Sequence, residues 1–108
     1  MESLDLRVLT DALQWRRAGH AVTLVTVVET WGSAPRPPGA LLAVRDDGLV
    51  SGSVSGGCVE GAVVTEALDI LQTGERRRVT YGFSDDEAFA VGLTCGGTIH
   101  LFIEPLDW

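Results

Sequence analysis

Two cysteines, Cys58 and Cys95, are the residues best suited to chemistry in this chain, and each abuts a glycine pair. Cys58 closes Ser53-Val54-Ser55-Gly56-Gly57 and leads into Val59-Glu60, while Cys95 opens Cys95-Gly96-Gly97-Thr98. A thiolate is both a nucleophile and a soft metal ligand. The first run falls where an extended segment gives way to a helical pattern, which puts Cys58 in the first helical turn. The unpaired N–H groups and partial positive charge of a helix start lower a thiol's pKa and attract anions. Gly52, Gly56 and Gly57 permit positive φ and close backbone approach, as a nest for a phosphate or metal-oxo group requires. Taken singly, either run also fits a tight turn around a small buried cysteine. The shared Cys–Gly–Gly grammar points instead to one pocket with Cys58 and Cys95 as metal or sulfur contacts.

A third segment, Trp31-Gly32-Ser33-Ala34-Pro35-Arg36-Pro37-Pro38-Gly39, holds an arginine between prolines. A guanidinium on so stiff a loop loses little entropy on binding, and its planar fork suits phosphate or carboxylate. Ser33 adds a hydroxyl. The competing reading pairs Arg36 with a local acid such as Glu29 and places Trp31 in the core.

Other polar residues fit structural roles. Glu60 belongs in the first turn of its helix, where a carboxylate meets the positive end of the dipole. His20 follows a helix end and serves capping or solvent, and His100 is a mid-strand residue satisfied within the sheet. Arg76-Arg77-Arg78 reads as charged protection of a strand edge, and Asp85-Asp86-Glu87 as an exposed acidic loop.

The elements that must position these residues follow from periodicity. Leu4 to Ala18 is predicted helical, with Leu4, Val8, Ala12 and Trp15 along one stripe, and Gly19 ends it. Ala21 to Val28 is β-branched and apolar, hence a central strand buried on both faces. Glu29 to Pro38 is predicted to be a rigid loop because of its prolines. Ala40–Arg45 and Leu49–Val54 pair across the Asp46-Asp47-Gly48 turn. A second helix is predicted from Gly57 to Gln72, stopped by Gly74. Arg77–Phe83 and Thr98–Ile103 are the remaining strands, the latter with Ile99, Leu101 and Ile103 on one face and His100 and Phe102 on the other. The expected fold is a single small α/β (or α+β) domain over residues 1–108, a mixed sheet of about five strands with two main helices.

Bulk properties narrow the function. Hydrophobic content of 45% and charged content of 21% describe a globular protein, and a net charge of -7 opposes general binding to nucleic acid or acidic membranes. No apolar run reaches the ~20 residues of a membrane helix, and Met1–Asp5 lacks a secretory pattern, so a cytoplasmic location is expected. A structural disulfide is disfavoured there.

Gly32–Ala40, Gly52–Glu60 and Gly92–Gly97, in that order, closely resemble the N-terminal domain of the XdhC/CoxI family, and the similarity spans Leu6 to Glu104. The family consists of accessory proteins for molybdenum hydroxylases such as xanthine dehydrogenase and carbon monoxide dehydrogenase. The resemblance implies a chaperone rather than an enzyme, one that transiently binds the molybdenum cofactor (molybdopterin), assists its sulfuration and inserts it into the apoenzyme. By position, Cys58 and Cys95 match the family's motif cysteines, the implied metal contacts, and Ser33, Arg36, Ser55, Gly56, Gly57, Gly96 and Gly97 fall in its cofactor-binding loops. The implied partners are an apo molybdenum hydroxylase, a cysteine desulfurase and a separate Rossmann-domain family member, with a homo-oligomer also compatible. Family members often add a C-terminal Rossmann-like domain, and no G-x-G-x-x-G segment is present here. The chain is therefore expected to be either a short member working beside a separate partner or one domain of a longer protein. Two other classes compete: an interaction subunit that binds no cofactor itself, and a thiol redox protein using a Cys58–Cys95 disulfide.

Overall fold

Two largely apolar blocks, the β-branched run 22–28 and the alternating Ile99, Leu101 and Ile103, set the architecture by pairing with each other at the centre of one sheet. In the computed structural model, which describes residues 3–32, 36–54, 59–81 and 97–107, the elements are α1 (Ser3–Arg17), β1 (Val22–Gly32), β2 (Leu41–Arg45), β3 (Val50–Gly52), α2 (Glu60–Thr73), β4 (Arg77–Tyr81) and β5 (Gly97–Pro105). The five strands form one sheet in the order β3-β2-β1-β5-β4. The expected α/β domain with five strands and two helices is what is found. The described pairs are all antiparallel, so the sheet is not mixed in strand direction. The long crossover from β3 to β4 through α2 joins opposite edges rather than neighbouring strands.

Strand alternation divides the core in two. On one face Val25, Val27, Leu42, Val44, Ile99, Leu101 and Ile103 pack under α2 against Val63, Ala67 and Ile70. On the other, Val22, Leu24, Leu41 and Ala43 meet Val8 and Ala12 of α1. Burying each such aliphatic side chain contributes about 1.5–3 kcal/mol before entropy is counted. β1 is thus central and covered on both faces, as its composition predicts. The buried Thr23 hydroxyl donates to the Ala67 carbonyl of α2 at 2.9 Å, so its polar atom is satisfied within an apolar layer. Arg77 ties the edge strand β4 to α2 through Glu66 and Asp69, both at 2.7 Å. These carboxylates, Glu66 foremost, raise its pKa.

Two boundaries and one buried position depart most from expectation. β1 runs on to Gly32, because its last residues pair with the start of β5 up to Gly32 opposite Gly97. A bulge at Val28, between Val27 and Glu29, makes this possible. α2 begins at Glu60 after an N-cap at Val59, later than the expected start at Gly57, so Glu60 stands in its first turn. In α1, Leu4 is exposed and Asp5 takes the buried place instead. Gly74 ends α2 as expected, left-handed, with its N–H on the Ile70 carbonyl at 2.8 Å.

Gly52 is needed for packing. Its φ is +93°, and an added Cβ would fall inside the van der Waals envelopes of the Leu41 carbonyl oxygen and Val8 Cγ2. The freedom expected to serve a ligand at this position is used to let β3 close against β2 and α1. Gly52→Ala should lower stability by roughly 2–3 kcal/mol, or about 10–20 °C in melting midpoint. Gly48→Ala, at φ +89° but facing open space, should cost only about 1 kcal/mol. Thermal unfolding of the two variants checks the contrast.

Candidate functional site

Antiparallel pairing points the strands that flank the motif segments toward one end of the sheet. β1 and β3 run that way, ending at Gly32 and Gly52, and β2 and β5 start from it, at Leu41 and Gly97. The strand ends stand on two levels: Leu41 lies opposite Thr26 and Gly52 opposite Leu42, whereas Gly32 and Gly97 face each other farther along β1. The chain therefore enters or leaves the proline-rich loop, the Ser53–Val59 turn and the segment before Gly97 at that same end. The first turn of α1 reaches it through Asp5, and that of α2 through Glu60. The turn at 46–49 lies at the opposite end, where the His20 ring meets Asp46 at 2.9 Å. That hydrogen bond holds the Asp46 carboxyl below its usual range.

A chain of charged contacts organises the end. Arg36 Nη2 donates to Asp5 Oδ1 at 2.8 Å, and the two side chains are only 14% and 6% exposed. The same carboxylate oxygen accepts the Leu41 N–H at 3.0 Å. Arg36 Nε donates to the Ser53 carbonyl at 3.3 Å. The Ser53 hydroxyl and the Val54 N–H both donate to Glu60 Oε2, at 2.9 and 3.1 Å. One run of contacts thus links α1, the proline-rich loop, the end of β3 and the start of α2. On the edge strand β4, Tyr81 packs into the α2-side core, where burial, with Glu66 adding, pushes its phenol pKa up.

Of the residues singled out from sequence, Arg36 lies in this end of the fold with its charge paired to Asp5 rather than to Glu29. Glu29 lies 3.8 Å from Arg78 instead. Gly97 opens β5 opposite Gly32. Cys58, Cys95, Ser33, Ser55, Gly56, Gly57 and Gly96 lie outside the described residues, as does the acidic loop at 84–92. So does the side chain of Trp31. His100 is satisfied as expected, by Thr80 Oγ1 at 2.8 Å, and Glu60 occupies the first helical turn as expected. His20 caps α1 as expected, through its backbone N–H on the Trp15 carbonyl at 2.9 Å, while its ring pairs with Asp46. Among the described residues no group of three or more His, Cys, Asp or Glu side chains could hold a metal ion, and no helix is long and apolar enough to cross a membrane.

Sequence reasoning missed Asp5 and the Ser53–Glu60 contact. A carboxylate in a helix's first turn ordinarily reads as a dipole partner facing water. The available signal was Asp5 standing one place from the apolar stripe of α1, with a lone arginine held in a rigid loop and in need of a buried partner.

The family profile of the XdhC and CoxI family matches residues 15–82. The chain belongs to the XdhC and CoxI family. Among its relatives, the protein named molybdenum cofactor insertion chaperone PaoD of Escherichia coli (strain K12) is 42% identical over 99 residues, covering 92% of this chain and 31% of PaoD. A protein of Bacillus subtilis (strain 168), named as a probable xanthine dehydrogenase subunit, is 32% identical over 85 residues, 77% of this chain and 26% of the relative. A crystal structure described as a xanthine dehydrogenase from Bacillus halodurans superimposes with a TM-score of 0.75 at 30% identity, covering 92% of this chain and 30% of that one. The chain spans about a third or less of the length of these relatives. The XdhC and CoxI profile takes in the proline-rich loop, Ser53 and Glu60, so most of the charged network lies within the matched span. Asp5 lies outside it.

Removing Asp5 should expose how far this end depends on the buried pair. Asp5→Ala strips Arg36 of its carboxylate and leaves the Leu41 N–H short of an acceptor, at a cost of about 2–4 kcal/mol. A double-mutant cycle with Arg36→Ala, followed by urea unfolding, should return a coupling of roughly 1–3 kcal/mol. Simple additivity would show that the pair does not act as a unit.

Proposed function

We propose that this chain is the cofactor-handling domain of a molybdenum hydroxylase accessory protein. In this reading it holds the molybdenum cofactor transiently at the end of the sheet toward which the motif segments are directed, assists its sulfuration and passes it to an apo hydroxylase. The observation that carries the proposal is the shared direction of the strands flanking all three motif segments, in a chain 42% identical to a cofactor insertion chaperone.

The donor set fits such a cargo. When bound, the cofactor supplies a soft molybdenum centre gripped by a dithiolene and, at its far end, a phosphate. Cys58 and Cys95 are the thiolates suited to the metal or to carrying sulfur. Backbone N–H groups at Ser55–Gly57 and Gly96–Gly97, with the Ser33 hydroxyl, are the donors for the pterin and phosphate. Arg36 acts mainly through the loops it holds, since Asp5 already neutralises its charge. Local donors at ~3 Å outweigh a net charge of -7 screened over ~8–10 Å. Sulfuration would call on a cysteine desulfurase, and delivery on the hydroxylase itself, in the cytoplasm and without turnover by this chain.

A second reading is favoured by the chain's coverage of only 31% of PaoD. In it this domain contributes an interface and part of the site, and a Rossmann-type partner completes the pocket.

Anaerobic co-purification followed by molybdenum and pterin analysis separates the two. The first reading expects bound cofactor in the isolated chain, reduced about tenfold or more by Cys58→Ala or Cys95→Ala. Equal stoichiometry in both variants would sink the assignment of the cysteines. Binding that requires an added partner would favour the second reading.

A further inference from the structure

Glu60 does more than meet the dipole of α2. A first-turn carboxylate satisfies that field while pointing into water, whereas Glu60 Oε2 reaches back to the Ser53 hydroxyl and the Val54 N–H, seven and six residues earlier. The two ends of the turn are thereby held by a single oxygen, with Ser55, Gly56, Gly57 and Cys58 between them. From the other side, Arg36 Nε holds the Ser53 carbonyl, and Asp5 holds Arg36. The same residue, Ser53, is therefore gripped at its carbonyl by the proline-rich loop and at its hydroxyl by α2.

We infer that Asp5 and Glu60 are positioning residues for the cysteine-bearing turn: Glu60 closes the turn directly, and Asp5 fixes it at one remove by orienting Arg36 onto the Ser53 carbonyl. Neither need touch the cargo. The inference rests on the functional reading above only for what the turn is used for.

Hydrogen exchange on the ligand-free chain, read by mass spectrometry, tests the positioning apart from any cofactor. Glu60→Ala should speed exchange of peptides spanning 53–60 roughly tenfold, the loss of about one net hydrogen bond, while the sheet peptides stay as they are. Glu60→Gln, whose amide oxygen can accept both bonds, should restore protection. Asp5→Ala should speed exchange over both 36–42 and 53–60. Should Glu60→Ala fail to fold, Ser53→Ala removes one of the two bonds and takes its place. Unchanged exchange at 53–60, or Glu60→Gln behaving like Glu60→Ala, would overturn the inference, the latter by pointing to charge alone.

A second readout uses the molybdenum cofactor as probe. Glu60→Ala should retain several-fold less of it than the unmodified chain at a similar melting midpoint, and Glu60→Gln should recover the difference. Equal retention across all variants would overturn the positioning role toward the cargo. If the unmodified chain retains none, the first functional reading falls, and exchange alone decides the positioning.

Discussion

The buried ion pair between Asp5 and Arg36 is the constraint around which this end of the molecule is arranged. An arginine so little exposed needs a fixed carboxylate, and a buried carboxylate needs donors on more than one side. Asp5 meets both needs by taking the guanidinium and the Leu41 N–H together. That satisfaction fixes the first turn of α1 to the start of β2, and the prolines around Arg36 pass the constraint into the loop. The neighbouring Ser51 hydroxyl, donating to Asp11 at 2.6 Å, repeats the link between α1 and the sheet further along the helix, at β3. Polar contacts thus set where α1 lies, while Val8 and Ala12 supply its apolar burial.

The same logic separates two tasks within the glycine and proline segments of this family domain. Gly52 and Arg36 are spent on architecture: one removes a side chain that would strike backbone, the other ties loops together. In the proposed function, binding is assigned to the backbone and sulfur between Val54 and Val59 and before Gly97. A motif defined by sequence alone blends these tasks.

Much of the fold is legible in the chain. The alternation Ile99, Leu101, Ile103 marks the buried face of β5, the β-branched run after Gly19 marks the central strand, and the Asp46-Asp47-Gly48 turn marks the β2–β3 hairpin. Each rests on local periodicity or turn chemistry, which a sequence displays directly. What local signals miss are contacts between distant residues. They end β1 at Val28 rather than Gly32, because its last pairs are with β5, some seventy positions away. They start α2 too early because the anchor of its first turn, Glu60 reaching back to Ser53 and Val54, is not a local pattern, and the buried place of Asp5 depends on a partner 31 residues distant. For the site, the three segments can be named from their residue types, while the shared end of the sheet toward which their flanking strands point requires the strand directions.

The bulge at Val28 carries a consequence for the whole outer half of the sheet. Before it, the odd-numbered side chains of β1 face α2; after it, Glu29 pairs with His100 and so faces away, leaving Thr30, opposite Ile99, on the helix side. One extra residue therefore resets the phase of the strand and keeps an acid out of the hydrocarbon layer. Were Val28 paired instead of bulged, Glu29 would fall opposite Ile99 and its carboxylate would turn beneath α2. The bulge is what lets this eleven-residue strand stay in phase with its neighbour as far as Gly97.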